Sequence, residues 1–190
     1  MIGQLPRSLE VGGKEYPIRS DFRVMLNVYD AFGDPDLTDA EKCYVCMKCL
    51  YKDYDSIPRE HMQQAAERAY WFAGGGDMPR SSERIKTFDW KQDEGLIFPA
   101  VNKAAGFEVR EVPYLHWWTF LGYFGVIGDG LFSQVLNIRG KMARGKPLEK
   151  WEREFYRTHR RMIDLKERLT EAEQLAEEAE ERFLRELWGD

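Results

Sequence analysis

Histidine and cysteine are scarce, with three of each among 190 residues. All three cysteines fall within Cys43-Tyr44-Val45-Cys46-Met47-Lys48-Cys49, an odd and local set that builds no intrachain disulfide framework, so reduced thiols are expected. They fill the first three positions of a C-x2-C-x2-C-x3-C-P iron–sulfur run, but Asp53 stands where the fourth cysteine belongs. On a helix the outer two thiols diverge too far to share one tetrahedral ion, so neither a metal nor another cofactor is expected. His61, His116 and His159 lie in separate segments, and none stands in H-E-x-x-H or beside the serine of G-x-S-x-G. No catalytic site is nominated, and His116 reads as a core or interface histidine. Asp34/Asp36 and Asp53/Asp55 lie in turn-like segments, where aspartate is favoured without any acid–base role.

Excess charge and long apolar runs are lacking too. Lys+Arg number 28 against 33 Asp+Glu, a net charge of -5, which sets up no global field for nucleic acid. Met1 to Arg7 holds no basic stretch followed by an apolar run, so no secretion leader is expected and the cytosol is the starting point. The longest stretch without Asp, Glu, Lys or Arg, Val112–Gly128, is shorter than the ~20 residues of a membrane span and carries His116 and three glycines, so a buried core helix is expected.

What is abundant is aromatic and charged: 14% of residues are aromatic and 43% apolar, enough for a sizeable core. Charged residues reach 32%, which suits a long solvated helix. Strand-like alternation on either side of Gly12-Gly13 predicts a β-hairpin. Ser20 is expected to cap a helix that Gly33 and Pro35 end. Thr38-Asp39-Ala40-Glu41 has the reciprocal capping pattern of a second helix, to about Tyr51, and Pro58 opens a third that runs to Gly74-Gly75-Gly76. Asp89 is expected to cap a helix that Pro99 kinks or ends before Gly106, with another beginning near Pro113. Leu131, Phe132, Val135, Leu136 and Ile138 then mark an amphipathic helix.

From Trp151 through Phe155, Thr158, Met162, Leu165, Leu169, Ala172, Ala176, Ala179 and Phe183, small or apolar residues recur at alternating steps of four and three. No Gly or Pro interrupts the chain between Pro147 and Gly189. The pattern predicts one helix with a coiled-coil seam, on the order of 60 Å long, more than a small domain can cover. Either part of it packs on another chain or it folds into an antiparallel hairpin within its own. The glutamates from Glu171 to Glu181 read as a solvated face.

The fold class expected is mainly α: a helical domain with a small N-terminal β-hairpin and a long C-terminal helix. Its divisions are residues 1–73 (hairpin and three helices), 74–87 (flexible linker), 88–145 (aromatic-rich helices) and 146–190 (the long helix). Gly140–Pro147 falls one residue short of a phosphate loop, because Pro147 brings neither a hydroxyl nor an N–H, and a turn between helices explains its glycines. Arg139 to Arg161 is locally basic without a zinc-finger or base-stacking signature, so an acidic protein partner is expected there rather than nucleic acid. Trp117 and Trp118 point about 100° apart on a helix, so one must lie near an edge.

Thr87-Phe88-Asp89-Trp90-Lys91-Gln92-Asp93, Gly106-Phe107-Glu108-Val109, Tyr114-Leu115-His116-Trp117-Trp118-Thr119-Phe120, Phe132 and Ile138-Arg139 together resemble the bacteriophage gene-product-fifteen family. Leu5-Pro6, Tyr16-Pro17-Ile18 and Asp21-Phe22-Arg23 are similar to that family's opening, and the resemblance runs from about Leu5 to Leu165. Members are generally encoded in the tail modules of long-tailed phages, beside the tape-measure gene, where tail assembly chaperones usually lie. The resemblance therefore implies a non-catalytic protein that accompanies the tape-measure protein, and with it tail-tube subunits or a second assembly chaperone. It would act in the host cytoplasm and be absent from the mature virion; the alternative is a structural virion component such as a head–tail or tail adaptor. Neither nucleic acid nor membrane is an expected partner, whereas a second copy of the chain is. The candidate partner-binding residues are Trp117, Trp118, Phe120, Trp151, Phe155, Met162, Leu165, Leu169 and Phe183.

Overall fold

Gly12 and Gly13 take φ angles of +59° and +75°, the left-handed pair that a two-residue hairpin turn requires, and they join β1 (Ser8–Val11) to β2 (Lys14–Pro17). A computed structural model describes residues 3–77 and 86–188 of this hairpin-led chain, without the side chains at 177, 180, 181 and 183–188. Leu9 pairs with Tyr16, and both are buried with Val11 against the helices. At Gly12 a Cβ would meet the His61 ring at 2.5 Å, so only glycine lets the turn sit this close to the helical layer.

The next residues form a spine between two other segments. Ile18 bridges Tyr51 and Asp21 bridges His116, while Trp117 N–H donates to Ser20 O and Phe22 N–H to Leu115 O. This pairing corrects two expectations. Asp21, not Ser20, caps α1 (Phe22–Phe32): its carboxylate accepts the N–H groups of Arg23 and Leu115, while the Ser20 hydroxyl shares a hydrogen bond with Tyr114 Oη. The helix expected near Pro113 begins only at Trp117, because the residues before it are held extended against the spine. There His116 is the cap, its Nδ1 accepting Trp118 N–H at 3.0 Å while Nε2 donates to Pro6 O.

Thr38 and Glu41 form the expected capping box of α2 (Asp39–Leu50), and α3 (Met62–Ala73) follows a short 3-10 turn after Pro58 and ends at Gly74. Of the expected linker, 78–85 lies outside the described residues. Asp89 caps the turn ahead of α4 (Glu94–Ala105), which passes through Pro99 without ending and stops at Gly106, φ +80°. Pro99 is tolerated on the solvent side, where Gly95, whose carbonyl loses its donor, is also exposed. With α5 (Trp117–Gly125) and α6 (Leu131–Ala143), these elements share one core in which Phe22, Met25, Leu50 and Phe72 meet Ile97, Trp117, Phe120 and Phe132.

The C-terminal segment is not one helix. It divides into α7 (Lys150–Thr158), α8 (Arg160–Ile163), a non-helical strap over 164–170, and α9 (Glu171–Trp188). The break has an electrostatic cause. Carbonyls of Met162 and Ile163 accept from the Arg139 guanidinium, and that of Asp164 from Gln92 Nε2, so the groups that would continue the helix are already bonded. Another capping box, Thr170 with Glu173, opens α9. The architecture is mainly α, with nine helices among the described residues and one two-stranded antiparallel sheet.

Candidate functional site

Arg139 is fixed on α6 by buried neighbours Val135 and Ile138, with its guanidinium directed between the body and the C-terminal arm. The Asp93 carboxylate takes two of its bonds, at 2.6 and 2.9 Å. The remaining three N–H groups meet carbonyls of Ile163 (2.6 Å), Met162 (2.8 Å) and Thr87 (3.0 Å). Both partners are almost wholly buried, at 5% and 2% exposure, and all five donors of the fork are used.

Asp89 links this pair to the strap. Its N–H donates to Asp93 Oδ2, and its carboxylate accepts from Arg168 and Lys86, while Arg168 Nη1 also donates to the side chain and carbonyl of Asp30 on α1. Burial works against the charge of Asp89, but the hydrogen bonds from Arg168 and Lys86 outweigh it and hold the carboxyl below the ordinary carboxylate range. Gln92 closes the clamp by accepting Lys166 N–H, and Glu171 N–H reaches Asp36 Oδ2. The strap is thus tied to the body largely by polar contacts.

α7 packs through an unexpected residue. Glu152, with no exposed surface, faces α6 between Lys141 Nζ at 2.6 Å and Asn137 Nδ2 at 2.8 Å, and the Lys141 bond holds its carboxyl below the usual range. Phe155 and Tyr156 flank it, half-buried, so the buried face is displaced from the seam through Trp151, Phe155 and Thr158. Trp151 is instead 48% exposed, its indole N–H on Glu149.

The nine candidate partner residues do not converge on one surface. Trp117 and Phe120 have no exposed area and belong to the core. Trp118 is half-buried at the edge, its indole N–H on Phe72 O, and with Leu5, Pro6 and Trp71 it lines a surface cleft. Phe155 stacks on the His159 ring, and Met162 gives its carbonyl to Arg139. Leu165 and Leu169 are half-buried along the strap. Phe183 lies within α9, but its side chain is outside the described residues. What remains open on α9 is plain: every described side chain of the helix is exposed, including Leu175 at 60%.

The other sequence features resolve into structure. Cys46 is buried in α2, and burial, with Cys43 and Cys49 beside it, pushes its thiol up to about 12. Gly140 lies inside α6 rather than in a turn, and Gly145 alone takes positive φ, +64°, so the phosphate-loop likeness has no loop. Among the described residues no group of three or more His, Cys, Asp or Glu is placed to hold a metal ion, and no helix is long and apolar enough to cross a membrane. Sequence reasoning missed Arg139, Asp93, Arg168 and Glu152. Thr170-x-x-Glu173 repeats the Thr38-x-x-Glu41 signature and marks where α9 begins.

No curated protein and no solved structure matches this chain. A family model described as Bacteriophage Gp15 protein matches residues 1–165, a span that takes in the spine, the aromatic core and the Arg139–Asp93 clamp, and the chain belongs to that bacteriophage family.

Proposed function

We propose that this chain is a non-catalytic phage tail assembly protein, acting in the host cytoplasm as a chaperone for the tape-measure protein. Membership of a bacteriophage family supports a phage structural or assembly role. The observation that carries the finer reading is α9, an eighteen-residue helix that leaves Leu175 and its other described side chains in solvent. A helix of this length gains little from propensity alone, so its natural state is against a partner. A tape-measure chain rich in coiled-coil surface offers an apolar stripe of matching kind. The polar strap suits a cover that must later be withdrawn, since exposed ion pairs and hydrogen bonds are individually weak.

Co-expression with the tape-measure protein of the same phage tests this. A soluble complex is expected, weakened by Leu175→Asp with the fold unchanged; absence of any complex overturns the reading. Mass spectrometry of purified virions is expected to find the chain missing. Its presence at stoichiometric level would mean a structural adaptor instead.

A further inference from the structure

The arm carries two surfaces of opposite charge. Residues 171–188 hold seven glutamates against two arginines, and α9 starts beside Asp36, adding carboxylate at that end. On α7, Lys150, Arg153 and Arg157 project from the outer face, opposite the buried Glu152, with exposed Trp151 at its edge. Lys146, Lys150, Arg153 and Arg161 make no ion pair among the described residues. The strap from Asp164 to Thr170 is pinned to α1 through Arg168 and Asp30, so α9 begins beside the end of α1, and among the described residues no hydrogen bond or ion pair joins it to the basic face.

From this arrangement we propose that two copies of the chain associate reciprocally, α9 of each lying across the basic α7 face of the other, with Leu175 meeting Trp151. The occupant is argued from charge: the acidic helix and the basic face are complementary, and one chain supplies both, so a two-fold pair satisfies each twice. Size sets the strength. At ~27 Å long and ~10 Å wide, two docked helices bury on the order of 1,000 Å² with both partners counted, the low end for a specific interface, so the pairing is weak and governed by charge. This inference does not rest on the tape-measure reading, but both place a partner on α9 at Leu175, so the two complexes exclude one another and the weak pairing is one that a tighter partner displaces.

Sedimentation of the full-length protein across concentration and salt is the test. A dimer is expected at low salt, its dissociation constant rising by roughly tenfold or more between 50 and 500 mM. Two variants then isolate the interface: Glu177→Lys with Glu178→Lys and Glu181→Lys reverses the helix, and Lys150→Glu with Arg153→Glu and Arg161→Glu reverses the face. Each alone should be monomeric with an unchanged circular dichroism spectrum, and an equimolar mixture should regain the dimer, since both docks are then complementary again. A parent that stays monomeric at every concentration overturns the proposal, including the case of α9 folding onto its own chain. So does a dimer that ignores salt, or variants that remain dimeric. The salt series on the parent decides the matter even if a variant fails to fold.

Discussion

In the body, rings do the holding: Phe22 stacks on Phe120 at 4.7 Å, Phe120 on Trp117 at 5.8 Å, and the Trp117 indole N–H ends on Ala73 O. Among the described residues the C-terminal arm meets the body through one small buried apolar cluster, Ile163 against Val135 and Ile138 of α6, and the residues that fix the arm's path are Arg139, Asp93, Asp89, Arg168, Gln92 and Glu152. The contrast is between a non-directional force that scales with area and a set of directional bonds that fail singly when one partner goes. A body held by the first resists local opening. An arm held by the second can be released by a competitor for a few groups.

The largest effects break either half, but differently. Phe120→Ala should destabilise the whole fold by about 3–5 kcal/mol through lost burial and a cavity, as one shifted transition in urea. Arg139→Met should lose a comparable amount, about 3–5 kcal/mol, because Asp93 is left charged and buried without its partner. The two separate in rescue: adding Asp93→Leu to Arg139→Met should recover most of the loss, whereas no polar change repairs the ring stack. Failure of that rescue would mean that the Met162 and Ile163 carbonyls, not the carboxylate, dominate the penalty.

A smaller change isolates the strap. Arg168→Ala removes bonds from a largely buried guanidinium to Asp89 and to the half-exposed Asp30, roughly 1–2 kcal/mol after discounting for solvent at Asp30. Hydrogen exchange should quicken over 164–176 and not in α1 to α3; a global effect would contradict the division drawn above. Acidity probes the same contrast. His116 has its pKa lowered by burial, so the folded state keeps the neutral ring, and the stability this gives is present above about pH 6.5 and falls as pH drops below it. Asp89, held below the ordinary carboxylate range, contributes fully above about pH 4 and is lost only in stronger acid. Loosening of the α5 cap should therefore precede release of the strap as pH falls. His116→Ala should remove the first step alone.

Local signals carried far in this sequence: the glycine pair of the hairpin, the Thr38 box and the end of α3 all depend on residues within a few positions of one another. Elements set by distant partners were not legible. Ser20 looks as good a cap as Asp21 until Trp117 takes its carbonyl, and the residues after Pro113 read as helix until the spine pairs with them. The same holds for the site. The seam through Trp151, Phe155 and Thr158 is a sound periodic pattern, yet packing turned on Glu152, a carboxylate that pattern analysis places outside, because its partner Lys141 lies 11 residues earlier on another helix, beyond any local window. Arg139 likewise counted toward a basic surface, and only its distance from Asp93 shows that it is internal.

The smallest expected effect on the fold is the sharpest on the surface. Trp151→Ala removes an indole that is 48% exposed and bonded only to the neighbouring Glu149, so stability should change by no more than about 0.5 kcal/mol. A half-exposed tryptophan on a basic helix is nevertheless the kind of group that anchors an interface. If the arm works by docking, this substitution should weaken self-association at low salt while leaving thermal unfolding unchanged. The same substitution in the core, at Trp117, should do the reverse and unfold the protein before any interface can be measured.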